Sequence, residues 1–139
     1  MFDSRGALGD GVRRAELVRA LAAAVAPFEF DTVAGIANSG TTWGLLLAIE
    51  LGLPFANVLV DGPRSGGLQR NIEPVLPPGT RVLLVDNWTS SGDSFVEASR
   101  LCRAAGALPV LAAVIAGPVG QQHVAGLPLA IGASLDSLD

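Results

Sequence analysis

RVLLVDNWTSSGDSFVEASRLCR, residues 81–103, passes from an apolar run through a hydroxyl-rich turn into an amphipathic pattern. Val82, Leu83, Leu84 and Val85 form the short continuous apolar run of a strand covered on both faces. Phe95, Val96, Ser99, Leu101, Cys102 and Ala105 then repeat at helical spacing, and Gly106 supplies a C-terminal cap. Between them stand Asp86, Asn87, Trp88, Thr89, Ser90, Ser91, Gly92, Asp93 and Ser94. The first amides of a helix lack internal acceptors and carry partial positive charge, so a Thr/Ser/Gly turn before them suits a phosphate. The alternative is that Ser90 or Ser91 simply caps the helix. Three hydroxyls in succession exceed what a cap needs, and the carboxylate at the strand's end is placed to accept sugar hydroxyls.

Working outward, the same arrangement occurs a second time. Asp31 to Ala37 is a buried-strand pattern that runs into Asn38, Ser39, Gly40, Thr41 and Thr42, followed by a helix expected from about Trp43 to Leu51. The amides of this loop suit a second anion. Alternatively, it is a tight strand-to-helix connection in which Gly40 provides backbone freedom. Phe55 to Val60 reads as a third strand, preceded by Gly52 and Pro54. Periodicity dissolves from Asp61 to Gly79, which holds four Gly, four Pro and the cations Arg64 and Arg70. A loop of that length in a compact domain is usually functional or disordered.

Downstream, Leu108 to Ile115 is a further buried strand, Gly117 to Gly120 a turn, Gln121 to Ala125 a single helical turn and Leu127 to Ile131 a last strand. Upstream, Val12 to Ala26 is a helix with Leu17, Val18, Leu21 and Val25 on one face. Phe2, Asp3, Ser4 and Arg5 are expected as an edge strand or arm. Strand and helix alternate, which calls for a parallel sheet of four to five strands with helices on both faces. Two anion turns at the carboxyl ends of parallel strands lie where ligands sit in open α/β sheets.

Composition bounds the function. The 139 residues amount to one domain. The net charge of −4 and the absence of lysine speak against a general nucleic-acid surface. No apolar run reaches the ~18–20 residues of a membrane span. Asp3, Asp10, Glu16 and the placement of Arg19 speak against a secretory leader, so a cytoplasmic protein is expected. The single cysteine, Cys102, forms no internal disulfide or metal cluster and reads as core. His123 stands without a carboxylate or Cys neighbour, and Trp43 reads as packing. Packing is the default for Trp88 too; bordering the proposed sugar site, it is also placed to lie against a base or to shield the loop.

The run Asp86-Asn87-Trp88-Thr89-Ser90-Ser91-Gly92-Asp93-Ser94 resembles the ribose-phosphate motif of the type I phosphoribosyltransferases. Their pattern is an apolar strand, two acidic residues, two variable positions, Thr/Ser-Thr/Ser-Gly and a helix. The resemblance extends from about Asp3 to Ile115, and its spacing is most similar to the orotate branch. It implies a single α/β domain over 1–139, with a parallel sheet, helices on both faces and a reduced hood. Residues 61–80 would be the mobile loop that closes over the substrate. The implied reaction is transfer of ribose 5-phosphate from phosphoribosyl pyrophosphate to a nitrogenous base, with release of pyrophosphate. Thr89, Ser90, Ser91, Gly92, Asp93 and Ser94 would hold the 5-phosphate, and Asp86 and Asn87 the ribose hydroxyls. Asn38, Ser39, Gly40 and Thr41 would hold the pyrophosphate. A magnesium ion carried by the substrate's own oxygens and a homodimer are also implied.

The chain departs from the family pattern at several positions. Asn87 replaces the second acidic residue, and Asp93 brings a negative charge to the phosphate turn. Only Arg64 and Arg70 stand where the orotate branch has lysines and an arginine. Ala116-Gly117-Pro118 follows the strand after which that branch places an arginine for the orotate carboxylate. These departures keep two other expectations open: a non-catalytic module that binds nucleotide or phosphoribosyl pyrophosphate, and an unrelated flavodoxin-like domain with a phosphate turn.

Overall fold

The structure, a computed structural model, describes residues 4–62, 71–87, 91–117 and 120–134. Its centre is a parallel sheet of β1 (Thr32–Ile36), β2 (Phe55–Val58), β4 (Arg81–Asp86), β5 (Leu108–Gly117) and β7 (Leu127–Ser134). The parallel strands run in the order β2-β1-β4-β5-β7. Two short antiparallel strands, β3 (Ile72–Glu73) and β6 (His123–Val124), extend the edges, giving seven strands among the described residues. The chain therefore steps from β1 to one side and later returns to the other side of β1. That reversal opens a crevice between the carboxyl ends of β1 and β4.

Alternation along the strands builds two cores. Val33, Leu83, Val85, Leu111, Ala113 and Ile115 face helices α1 (Ser4–Leu8), α2 (Gly11–Val25) and α3 (Ser39–Leu51). Ala34, Ile36, Val82, Leu84, Ala112 and Val114 face α4 (Asp93–Ala104). Helices on both faces and strands buried on both sides agree with the sequence reading. On α2, Leu17, Val18, Leu21 and Val25 are buried as their spacing predicts, and the Asp10 carboxylate caps the amides of Val12 and Arg13. Trp43 and Cys102 are core residues. At the end of the sheet remote from the crevice, the Arg81 guanidinium grips the Asp31 carboxylate with two nitrogens, at 3.0 and 3.2 Å.

Four local expectations are corrected. Ser4 and Arg5 begin helix α1 rather than an edge strand or arm, while Phe2 and Asp3 lie outside the described residues. Helix α3 starts at Ser39, about one turn before Trp43, so the small-residue loop is itself the helix's first turn. Within the aperiodic 61–79 stretch, Ile72 and Glu73 pair with β2; the Leu59 amide donates to the Asn71 carbonyl, and the Asn71 side-chain amide donates to the Leu59 carbonyl. A two-residue strand is too short for periodicity to register. Gln121 to Ala125 holds strand β6, not a helical turn. Ala125 and Gly126, at φ 51° and 76°, form the tight hairpin into β7. Alanine at the first of those positions disguised the turn, which usually advertises itself with Asn or Gly.

Candidate functional site

The two loops chosen from sequence converge. β1 and β4 are direct neighbours, with Gly35 in register with Val85, so the turn after Ile36 and the turn after Asp86 sit side by side. The first helix, α3, leaves on one face of the sheet and α4 on the other. Two helix N-termini thus flank one crevice, each presenting amides without intrahelical acceptors.

Asp86 stands between them. It is 7% exposed, and its Oδ1 accepts the Asn87 amide at 2.7 Å and the Ser39 hydroxyl at 3.2 Å. Burial pushes its carboxyl above the ordinary range, and the bonds from Asn87 and Ser39 pull partly back. A buried carboxylate without a cationic partner in the described residues needs polar hydrogens, and sugar hydroxyls are of that kind.

The approach of α3 to the sheet depends on glycine for a reason other than backbone freedom. A Cβ on Gly40 would lie 2.3 Å from the Val85 carbonyl oxygen and 3.0 Å from the Asp86 Cα. A Cβ on Gly35 would lie 2.6 Å from the Gly40 oxygen, and one on Gly44 would lie 3.0 Å from the Gly35 Cα. Gly40 is helical, so what it supplies is close approach. Of the residues expected around the second anion, Asn38 and Ser39 are exposed and Gly40 is buried against β4. The Thr41 hydroxyl is directed elsewhere, donating to Asn57 Oδ1 at 2.5 Å. Thr41 is therefore a clamp on the turn rather than a free donor.

In the other turn, Ser91 Oγ accepts the Asp93 amide at 3.3 Å, a long bond that does part of what a cap would do. Gly92 is the N-cap of α4 and takes φ 82°, which favours glycine. A Cβ there would also meet Val124 Cγ2 at 2.8 Å, so the β6–β7 hairpin presses against the turn. Asp93 is exposed in the first turn of α4, and Ser94 is half-buried. Trp88, Thr89, Ser90, Arg64 and Arg70 lie outside the described residues.

Sequence reasoning missed Asn57, Gly35, Gly44 and Val124. Asn57 had a signal, as a polar residue inside the apolar run Phe55 to Val60. The other three act through tertiary proximity that no spacing rule conveys. His123 is exposed on β6.

Scanned against protein-family models, the sequence matches none. An orotate phosphoribosyltransferase of Rhizobium meliloti (strain 1021) is 37% identical over 78 residues, which is 56% of this chain and 33% of that protein. One from Lactiplantibacillus plantarum is 36% identical over 76 residues, or 55% of this chain and 35% of that protein. The chain thus matches about a third of the length of these curated relatives. Among solved structures, orotate phosphoribosyltransferase from Aeropyrum pernix superposes with a TM-score of 0.80 at 23% identity, covering 99% of this chain and 80% of that one. The chain has the type I phosphoribosyltransferase fold. Adenine phosphoribosyltransferase from Thermoanaerobacter pseudethanolicus shares it at a TM-score of 0.79 and 20% identity, over 97% of this chain and 88% of that one. Within the phosphoribosyltransferase fold, the described crevice occupies the switch point of the sheet.

Proposed function

We propose that this protein binds phosphoribosyl pyrophosphate and transfers its ribose 5-phosphate group to a nitrogenous base, releasing pyrophosphate. The observation that carries the proposal is the buried Asp86 carboxylate set between two helix N-terminal turns on adjacent parallel strands. The orotate phosphoribosyltransferase relatives point to the same chemistry. In this assignment the turn of Thr89, Ser90, Ser91, Gly92, Asp93 and Ser94 receives the 5-phosphate. Asp86 and Asn87 accept and order the ribose hydroxyls. Asn38, Ser39 and the Gly40 amide receive the pyrophosphate, and Thr41 holds their turn in place. Arg64 and Arg70 supply positive charge to the bound phosphate groups.

Such a transfer passes through a sugar with oxocarbenium character, so the protein contributes geometry and charge placement rather than a nucleophile. Three anchored groups fix the sugar between leaving group and base: the 5-phosphate on α4, the hydroxyls on β4 and the pyrophosphate on α3. The Asp86 carboxylate, which accepts the Ser39 hydroxyl, is placed to offset the positive charge that develops on the sugar. Among the described residues no three His, Cys, Asp or Glu side chains cluster as a metal site. The magnesium implied by this chemistry would be held by the substrate's own phosphate oxygens. The bound ion would neutralise charge on the departing pyrophosphate. No helix among the described residues is long and apolar enough to cross a membrane. A homodimer in the cytoplasm is the proposed state, and exposed Leu45 and Ile49 on α3 offer it apolar surface.

Pyrophosphate release from phosphoribosyl pyrophosphate and magnesium, measured across a panel of pyrimidine and purine bases, tests the proposal. Turnover is expected with at least one base, orotate being the first to try. Binding with no turnover on any base replaces the transferase with a binding module. Failure to bind phosphoribosyl pyrophosphate overturns the assignment.

A further inference from the structure

Asn57 is a buried polar residue that the proposed ligand contacts leave unused. It lies in the middle of β2, 8% exposed, paired with Gly35 of β1 on one side and Glu73 of β3 on the other. An amide in such a place is costly unless it is hydrogen-bonded. Its neighbours Ala56 and Val58 belong to the α4-side core, so Asn57 points to the opposite face, with Phe55, toward α3. There its Oδ1 accepts the Thr41 hydroxyl. The path is open because Gly35, between them, has no side chain, and the Thr41 Cα rests 2.8 Å from where a Gly35 Cβ would be.

The first turn of α3 is therefore gripped from both neighbours of β1. Asn57 on β2 holds Thr41, and Asp86 on β4 holds Ser39. The Ala37 amide adds a backbone bond to the Val58 carbonyl at 2.9 Å, and the Thr41 amide closes the turn on the Asn38 carbonyl at 3.2 Å. We infer that Asn57 is a positioning residue: through Thr41 it fixes the Ser39 and Gly40 amides in the orientation that receives the pyrophosphate group. This deepens the proposed function and depends on it. It also separates the subsites, because the bond from Thr41 to Asn57 lies on the α3 face of the sheet while α4 packs on the other.

The test is a double-mutant cycle of Asn57→Leu and Thr41→Val, with binding of inorganic pyrophosphate and of ribose 5-phosphate each measured by calorimetry in the presence of magnesium. Each single variant removes one half of the hydrogen bond and leaves the other half buried. Pyrophosphate affinity should fall by about five- to tenfold in each. The double variant should bind no more weakly than the single variants, since the two share one interaction. Ribose 5-phosphate affinity should stay within about twofold of wild type, which also shows that the variants are folded. The inference is overturned if the single variants keep wild-type pyrophosphate affinity, if their effects multiply, or if ribose 5-phosphate binding falls in step. Wild-type protein that binds ribose 5-phosphate but not pyrophosphate also overturns it. Wild-type protein that binds neither overturns the proposed function with it.

Discussion

Replacing Gly40 with alanine tests whether α3 must lie directly on the end of β4. The added methyl would sit 2.3 Å from the Val85 carbonyl oxygen, where an ordinary carbon–oxygen approach is about 3.3–3.6 Å. The shortfall is about 1 Å, and every close atom is backbone, so no side chain can rotate away. The helix must lift from the strand, stretching the 3.2 Å bond from Ser39 to Asp86. Overpacking of this kind costs about 1–3 kcal/mol, and a backbone clash belongs at the upper end. Alanine's helix propensity returns about 0.8–1 kcal/mol, leaving a net loss of about 2 kcal/mol. For a domain of this size that lowers the melting temperature by about 8 °C. A displacement of about 1 Å at the reacting groups reduces turnover by about 10²-fold. Gly9→Ala is the control, because a Cβ there meets only the Gly6 oxygen at 3.5 Å, and its stability should stay within about 0.5 kcal/mol of wild type. Scanning calorimetry with pyrophosphate titration checks both variants. Gly40→Ala melting within about 2 °C of wild type with pyrophosphate affinity intact would refute the close-approach argument.

Asp86→Asn keeps an acceptor for Asn87 and Ser39 but replaces a charged partner of the ribose hydroxyls with a neutral one, so phosphoribosyl pyrophosphate affinity should drop by about 1–2 kcal/mol in calorimetry. Because burial raises the Asp86 pKa, wild-type affinity should begin to fall at a higher pH than an ordinary aspartate would give, and the step should vanish in the variant. The same raised pKa means that the folded state loses this group's contribution as pH rises through it; Asp86→Asn should therefore melt no lower than wild type at neutral pH. Asn87→Asp and Asp93→Gly should each tighten phosphoribosyl pyrophosphate by about 1–2 kcal/mol, without full additivity, and unchanged affinity in both would remove 86–94 from the site. Cys102, buried and with its thiol pushed up to about 11, should resist iodoacetamide at pH 8 until the chain unfolds; rapid labelling of folded protein would contradict its burial.

Much of this architecture was legible because strands buried on both faces and amphipathic helices leave strong, regular patterns. Val82 to Val85 and Leu108 to Ile115 could hardly be anything but interior strands, and the Leu17, Val18, Leu21, Val25 stripe named the face of α2 that packs. What escaped was short or non-local. β3 and β6 are two residues each, stabilised by an edge already present rather than by their own composition. Helix α3 was begun too late because Ser39, Gly40 and Thr41 are poor helix formers locally. Ser39 and Thr41 are held there by side-chain bonds to Asp86 and Asn57. At Gly40 the sequence shows that a side chain is missing but not that the Val85 carbonyl and the Asp86 Cα stand where it would be.

The two cores have a consequence for how damage spreads. The α3 turn is seated on Trp43 and Leu47, which pack with Val33, Leu83 and Val85 on one side of the sheet. The α4 turn is seated on Phe95 and Ala98, which pack with Ile36, Leu84 and Val114 on the other. Among the described residues, the two foundations meet through the strands' backbones. Erosion of one foundation should blunt recognition of one end of the ligand while leaving the other end's recognition sound. A molecule gripped at both ends would then become, for the damaged protein, a molecule tethered at one.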